Sequence, residues 1–144
     1  DIDDSLNPDH IGDIREIPLG SNCFDLVCAF QVLEHIPFED FNTAVNELVR
    51  VASHDLVFSI PDKHQAFQYL LTLPGIGRYK LLIPKPTPKK HHDFEGQHYW
   101  ECNSKETPLG DIMKKLDAIP NTHFHQYLCP DNPYHRFFSG HIAG

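Results

Sequence analysis

Two clusters in this sequence hold side chains able to do chemistry. Gln31, Glu34 and His35 arrive together where the apolar run Phe24-Asp25-Leu26-Val27-Cys28-Ala29-Phe30 ends. Further on, His91, His92, Asp93, Glu95 and His98 run into Tyr99, Trp100 and Glu101. An imidazole close to a carboxylate suits general-base work. Neighbours on a chain need not face one another, however, so the Glu34–His35 adjacency is not read as a dyad. Several imidazoles with a carboxylate would suit zinc or iron. The spacing of the second cluster matches no metal motif, and eleven histidines in the chain make chance clustering easy. No metal is assigned.

The elements that must position these groups follow from periodicity. Phe24 to Phe30 is short, apolar and rich in Val, Leu and Phe, which predicts a buried strand. Phe38, Phe41, Val45, Leu48, Val49 and Ala52 recur at helical spacing, with Pro37 before them and Arg50 near the end, predicting a helix over 38–52. Asp55 to Ile60 reads as a second buried strand, stopped by Pro61. Strand, helix and strand make a right-handed βαβ unit. In open α/β sheets ligands bind at the carboxyl ends of the strands, which is where Gln31, Glu34 and His35 fall.

The flanks are less regular. Asn7-Pro8 marks a turn, His10 to Ile14 reads as a short strand, and 15–23 as a loop. Residues 64–83 start helix-like on Phe67, Leu70 and Leu71 and break at Leu73-Pro74-Gly75; 84–101 is Pro-rich, then dense in His and aromatics. Thr107 and Pro108 suit an N-cap and first helical position for a helix reaching about Ile119. Asn121 to Cys129 and His135 to Ala143 read as two strands joined by Pro130-Asp131-Asn132-Pro133.

Composition narrows the function classes. The 144 residues carry 12 basic and 20 acidic side chains, a net charge of -8. That disfavours nucleic acid and anionic membrane as partners, because phosphate is bound by basic patches; Lys85 to Lys90 is the local exception. No apolar stretch approaches the ~18 residues of a membrane span. Four scattered cysteines without a CxxC pair fit a reduced, cytoplasmic setting. The eight glycines include no GxGxxG, and the chain opens on Asp-Ile-Asp as if within a domain, so the reading is a single partial domain: 1–62 a βαβ core, 63–103 an irregular segment, 104–144 a helix and hairpin.

Phe24-Asp25-Leu26-Val27-Cys28-Ala29-Phe30-Gln31-Val32-Leu33-Glu34-His35-Ile36-Pro37 resembles the fourth-strand motif of class I S-adenosylmethionine (SAM)-dependent methyltransferases, in the branch typified by FD-V-xx-x-VLEH. Asp1-Ile2-Asp3, Gly12-Asp13-Ile14 and Ile17-Pro18-Leu19 are similar to the family's second-strand acid, GD-I and LPF segments, so the likeness covers roughly the first 60 residues. His91 to Glu101 resembles an HH-F-G-HYWE segment found near the substrate entrance in some members. The resemblance implies an α/β fold with a Rossmann-like methyltransferase sheet (three-layer α/β/α), incomplete at the N-terminus and ending in an antiparallel hairpin.

It further implies methyl transfer from SAM to a small-molecule acceptor. On this reading Asp1, with Asp3 competing for the register, takes the ribose hydroxyls. Asp13 and Ile14 meet the adenine, and Phe30 and Gln31 flank the methionine portion. His35 faces the transferred methyl or merely caps the next helix. His91, His98 and Glu101 orient or deprotonate the acceptor, while Tyr99 and Trp100 give it a flat apolar surface. Without a glycine-rich loop, the 144 residues by themselves are expected to bind SAM weakly or not at all. Two alternatives stay open: a non-catalytic methyltransferase-like binding domain, and a nicotinamide-dependent oxidoreductase, whose pattern lacks the VLEH segment.

Overall fold

The computed structural model describes residues 3–63, 66–85, 94 and 96–143. Asp1, His91, His92, Asp93 and Glu95 lie outside these. Among the described residues a four-stranded sheet runs in the order β1 (Phe24–Phe30), β2 (Ala52–Pro61), β6 (Asn132–Ile142), β5 (Thr122–Cys129). β1 and β2 are parallel, with Val27 opposite Leu56 and Ala29 opposite Phe58. β6 is antiparallel to both of its neighbours. The chain is therefore α/β, with the expected βαβ unit and terminal hairpin in one mixed sheet.

Helix α1 (Phe41–Val51) links the two parallel strands and leads straight into β2. It begins three residues later than its periodicity predicts. Pro37 starts a 3-10 turn over Phe38–Asp40, and the α-helix follows from Phe41. Its buried face is Phe41, Ala44, Val45, Leu48 and Val51. That face shares one core with Leu56, Phe58 and Ile60 of β2, Phe138 of β6, and Ile112 and Leu116 of α2 (Leu109–Asp117). Phe58 stacks on Phe138 with centroids 4.9 Å apart, and the edges of Phe41 and Phe124 close around it. Of the three layers expected, the described residues supply the sheet and one helical layer. The other face of β1 presents Phe24, Leu26 and Phe30 to solvent.

Three expectations are corrected. Residues 66–84 are not helical: β3 (Ala66–Leu73) and β4 (Gly77–Pro84) form a separate antiparallel hairpin. Gly75 and Gly77 turn it at φ 78° and 127°, a region that L side chains avoid. His10 to Ile14 is loop with a single bridge, Asp13 to Glu16. Thr107 does not cap α2, whose N-cap position is Pro108. Its hydroxyl is already committed, donating to the Glu101 carbonyl at 2.6 Å and sharing a 2.7 Å hydrogen bond with Ser104.

The cysteines separate by environment. Cys23 and Cys28 are exposed, whereas Cys102 is buried. Burial, and then the nearby Asp62 carboxylate, push the Cys102 thiol up to about 12. Almost no Cys102 is then thiolate at pH 8, and the thiolate is the reactive form. A disulfide reagent should modify Cys23 and Cys28 in the native protein within minutes and leave Cys102 intact until denaturant is added. Mass mapping of the modified peptides checks this; rapid native labelling of Cys102 would contradict its burial.

Candidate functional site

A cavity of about 450 Å³ opens beside the carboxyl-terminal end of β1, walled by Cys28, Ala29, Val32 and His35 on one side and by the loop from His10 to Leu19 on the other. The loop is held by α1. The Ile17 amide donates to Glu47 Oε2 at 2.9 Å, and Arg50 donates to the carbonyls of Leu19 at 2.8 Å and Ile17 at 2.9 Å. The Glu47–Arg50 pair is itself 2.7 Å apart, and this partner holds the Glu47 carboxyl below its ordinary value. Sequence reasoning gave Arg50 only a role at the helix end; in the structure it fixes the wall of the cavity. Gly12 is small for a reason: a Cβ there would sit 2.5 Å from Pro18 Cδ.

Asp13 and Ile14 both line the cavity. The Asp13 carboxylate accepts from the Arg15 amide at 2.8 Å and from its guanidinium at 2.6 and 3.0 Å, which lowers its pKa. Arg15 also reaches Asp40 at 2.8 Å. Asp3, the other acid in the register, accepts from Ser5 and caps a short 3-10 turn. Phe30 and Gln31 are not among the cavity-lining residues. Phe30 lies on the open sheet face, edge-on to Phe137 at 6.3 Å. Gln31 takes φ 56°, a left-handed conformation costly for a residue with a side chain, and it reverses the chain directly after β1.

That reversal leads into the 3-10 turn Leu33–His35. Leu33 and Glu34 point inward and are fully buried, while His35 stays exposed. The segment 97–102 is stitched across this turn. The Tyr99 amide donates to the Glu34 carbonyl at 2.8 Å, and the Cys102 amide to the Pro61 carbonyl at 2.8 Å. Trp100 is 2% exposed and donates its Nε1–H to the Ile36 carbonyl at 3.0 Å, with Phe38 and Phe41 edge-on to its ring. The expected acceptor surface therefore divides: Trp100 belongs to the core, and Tyr99 remains exposed beside Phe94.

Stitching also brings His98 onto His35, ring centroids 5.1 Å apart. Glu34, His35 and His98 each place a ligand-type atom within 4.8 Å of the other two. Neither carboxylate oxygen of Glu34 has a hydrogen-bond partner. Burial, with a smaller push from Glu101, raises its carboxyl against the opposing pull of its own backbone amide and then of His35 and His98. His135 lies near this group; burial and then the His98 imidazole hold its pKa down. Of the expected site residues, the structure thus gathers Asp13, Ile14 and His35 at the cavity and His98 beside it. The Glu34–His98 meeting was not foreseen, because no spacing rule links residues so far apart.

Comparison with known proteins agrees with this layout. The profile described as a methyltransferase domain matches residues 4–60. A search of curated protein sequences gives no significant match. Among solved structures, PH0226 protein from Pyrococcus horikoshii OT3 aligns with a TM-score of 0.51 at 12% identity, over 96% of this chain and 62% of its own. Magnesium protoporphyrin IX methyltransferase from Synechocystis PCC 6803, bound to SAH, aligns at 0.48 and 18% identity, over 93% of this chain and 50% of its own. This chain spans less than two thirds of the length of either structure. The methyltransferase-domain profile thus spans the cavity loop, β1, α1 and most of β2, and the chain shares the α/β fold of PH0226 protein.

Proposed function

We propose that this chain forms part of a SAM-dependent methyltransferase acting on a small-molecule acceptor. The observation that carries the reading is the cavity at the end of β1, walled by the Gly12-Asp13-Ile14 loop and by the turn holding His35. Asp13 would accept from the adenine amine while Ile14 packs on the ring. The acidic net charge is consistent with a small neutral or cationic acceptor. The hairpin β3–β4, with Tyr69, Leu71 and Tyr79 exposed, is the part available to cover it.

Methyl transfer asks little covalent work of the protein. The acceptor's lone pair forms a bond to the methyl carbon as the carbon–sulfur bond breaks; the sulfur leaves with the electron pair, neutral, in S-adenosylhomocysteine. The acceptor proton passes to a base, either water in the cavity or, while its Nε2 lone pair is unused, the His35 imidazole on the wall. Catalysis then rests on aligning the three centres and excluding water.

Backbone amide NMR of the chain tests the reading, because it detects weak binding. Millimolar S-adenosylhomocysteine should shift amides around Asp13, Ile14, Ala29 and His35, and NAD should not. Asp13→Asn should weaken the response about tenfold, the loss of one charge-assisted hydrogen bond. Shifts with NAD alone, or shifts away from the cavity, would exclude the proposal.

A further inference from the structure

We infer that Glu34, His35 and His98 bind a divalent transition-metal ion beside the cavity. Three observations converge on it, and none depends on the methyl-transfer reading.

The first is an electrostatic debt at Glu34. A fully buried carboxylate without a partner is costly, and buried charges in proteins are paired or coordinate metals. Both oxygens of Glu34 are buried and unpartnered. They lie beside the imidazoles of His35 and His98.

The second concerns which ring nitrogens carry lone pairs. A carbonyl only accepts, so the 2.9 Å contact between His35 Nδ1 and the Gln97 carbonyl requires Nδ1–H. A neutral His35 then has its lone pair on Nε2. His98 Nδ1 faces Glu101 Oε1 at 3.4 Å, which favours the same tautomer. Metal-ligating histidines are typically held this way, their second nitrogen donating to a carbonyl or a carboxylate.

Geometry supplies the third. The three donors lie within 4.8 Å of one another, against about 3.5 Å between donors around a bound zinc. Binding an ion therefore requires the side chains to close in by about 1 Å. Two imidazoles and one carboxylate suit zinc, cobalt or iron rather than magnesium or calcium. Three protein donors leave coordination positions open, the pattern of a reactive rather than a purely structural site. The cluster of the sequence reading, His91 to His98, is not this site: only His98 is shared, and its companions come from the turn after β1.

Metal titration of the EDTA-treated chain with zinc chloride decides the matter, read by calorimetry and by elemental analysis after desalting. One ion per chain is expected. His98→Ala and Glu34→Gln should each weaken binding about 100-fold, since losing even an outer-sphere partner costs 10–100-fold. A His123→Ala/His125→Ala double variant, on strand β5, should bind like the wild type. Glu34→Gln keeps the side chain's shape and removes a buried charge, so circular dichroism should show it folded. Cobalt(II) gives a second readout: a d–d band in the visible that His98→Ala abolishes. No saturable binding below 1 mM (about −4.1 kcal/mol), or affinity unchanged in both single variants, would overturn the inference and leave His35 Nε2 free to act as a base.

Discussion

Phe58→Ala should cost this chain about 3–5 kcal/mol, the range for emptying a buried phenylalanine site, and at that size it should leave much of the protein unfolded at room temperature. Phe58 is fully buried on β2, the strand that pairs in parallel with β1 and antiparallel with β6. Phe138 stacks on it at 4.9 Å, with Phe41 and Phe124 at 6.3 and 6.4 Å. These neighbours come from three different elements, so no single movement fills the void. Urea titration followed by circular dichroism measures the loss. Phe58→Leu should cost much less, because most of the volume is kept. A loss under 1 kcal/mol for the alanine variant would mean that the aromatic cluster is not the centre of the core.

Asp62→Ala should be comparably damaging, about 3–5 kcal/mol, for an electrostatic reason. Asp62 follows β2 immediately and takes a 2.8 Å hydrogen bond from Arg136 Nε, with both groups almost wholly buried. Asn103 Nδ2 donates to the same carboxylate at 3.0 and 3.2 Å. Arg136 also reaches Gln126, but an amide does not neutralise a guanidinium. Removing the acid leaves a buried charge without its counter-ion, which is worse than removing both members. An Asp62→Ala/Arg136→Met double variant should therefore regain a good part of the lost stability. Additive losses in the double-mutant cycle would argue against a coupled pair. Asn103 ends the segment carrying His98 and would lose its carboxylate partner, so the single variant should also loosen that segment and weaken metal uptake.

The βαβ unit and the closing hairpin were legible because each is patterned at one unambiguous period. Phe41, Val45 and Leu48 recur on one helical face, and the strands on either side are short apolar runs ended by Gln31 and Pro61. The stretch from Ala66 to Leu73 was misread because Phe67, Leu70 and Leu71 satisfy helical spacing by accident. Exposed apolar residues on both faces of that hairpin give no alternation to betray a strand. The cavity wall was partly visible, in Asp13 and Ile14 through the resemblance. The hold that Arg50 keeps on Leu19 and Ile17 was not, since it is a long-range contact between a helix and a loop. Trp100 shows the same limit: an aromatic in a polar, His-rich segment reads as surface, and only the fold reveals the Ile36 carbonyl waiting for its indole.

The bond from His35 to the Gln97 carbonyl spans 62 residues, and that from Trp100 to Ile36 spans 64. Closing so wide a chain separation is slow, and the helix and the hairpin of local contacts can form before it. The group around Glu34 is then among the last parts of the molecule to assemble and absent from the folding transition state. An ion bound there would retard unfolding and leave the rate of folding almost untouched, so its presence should be felt as a longer lifetime of the native protein rather than as a faster route to it.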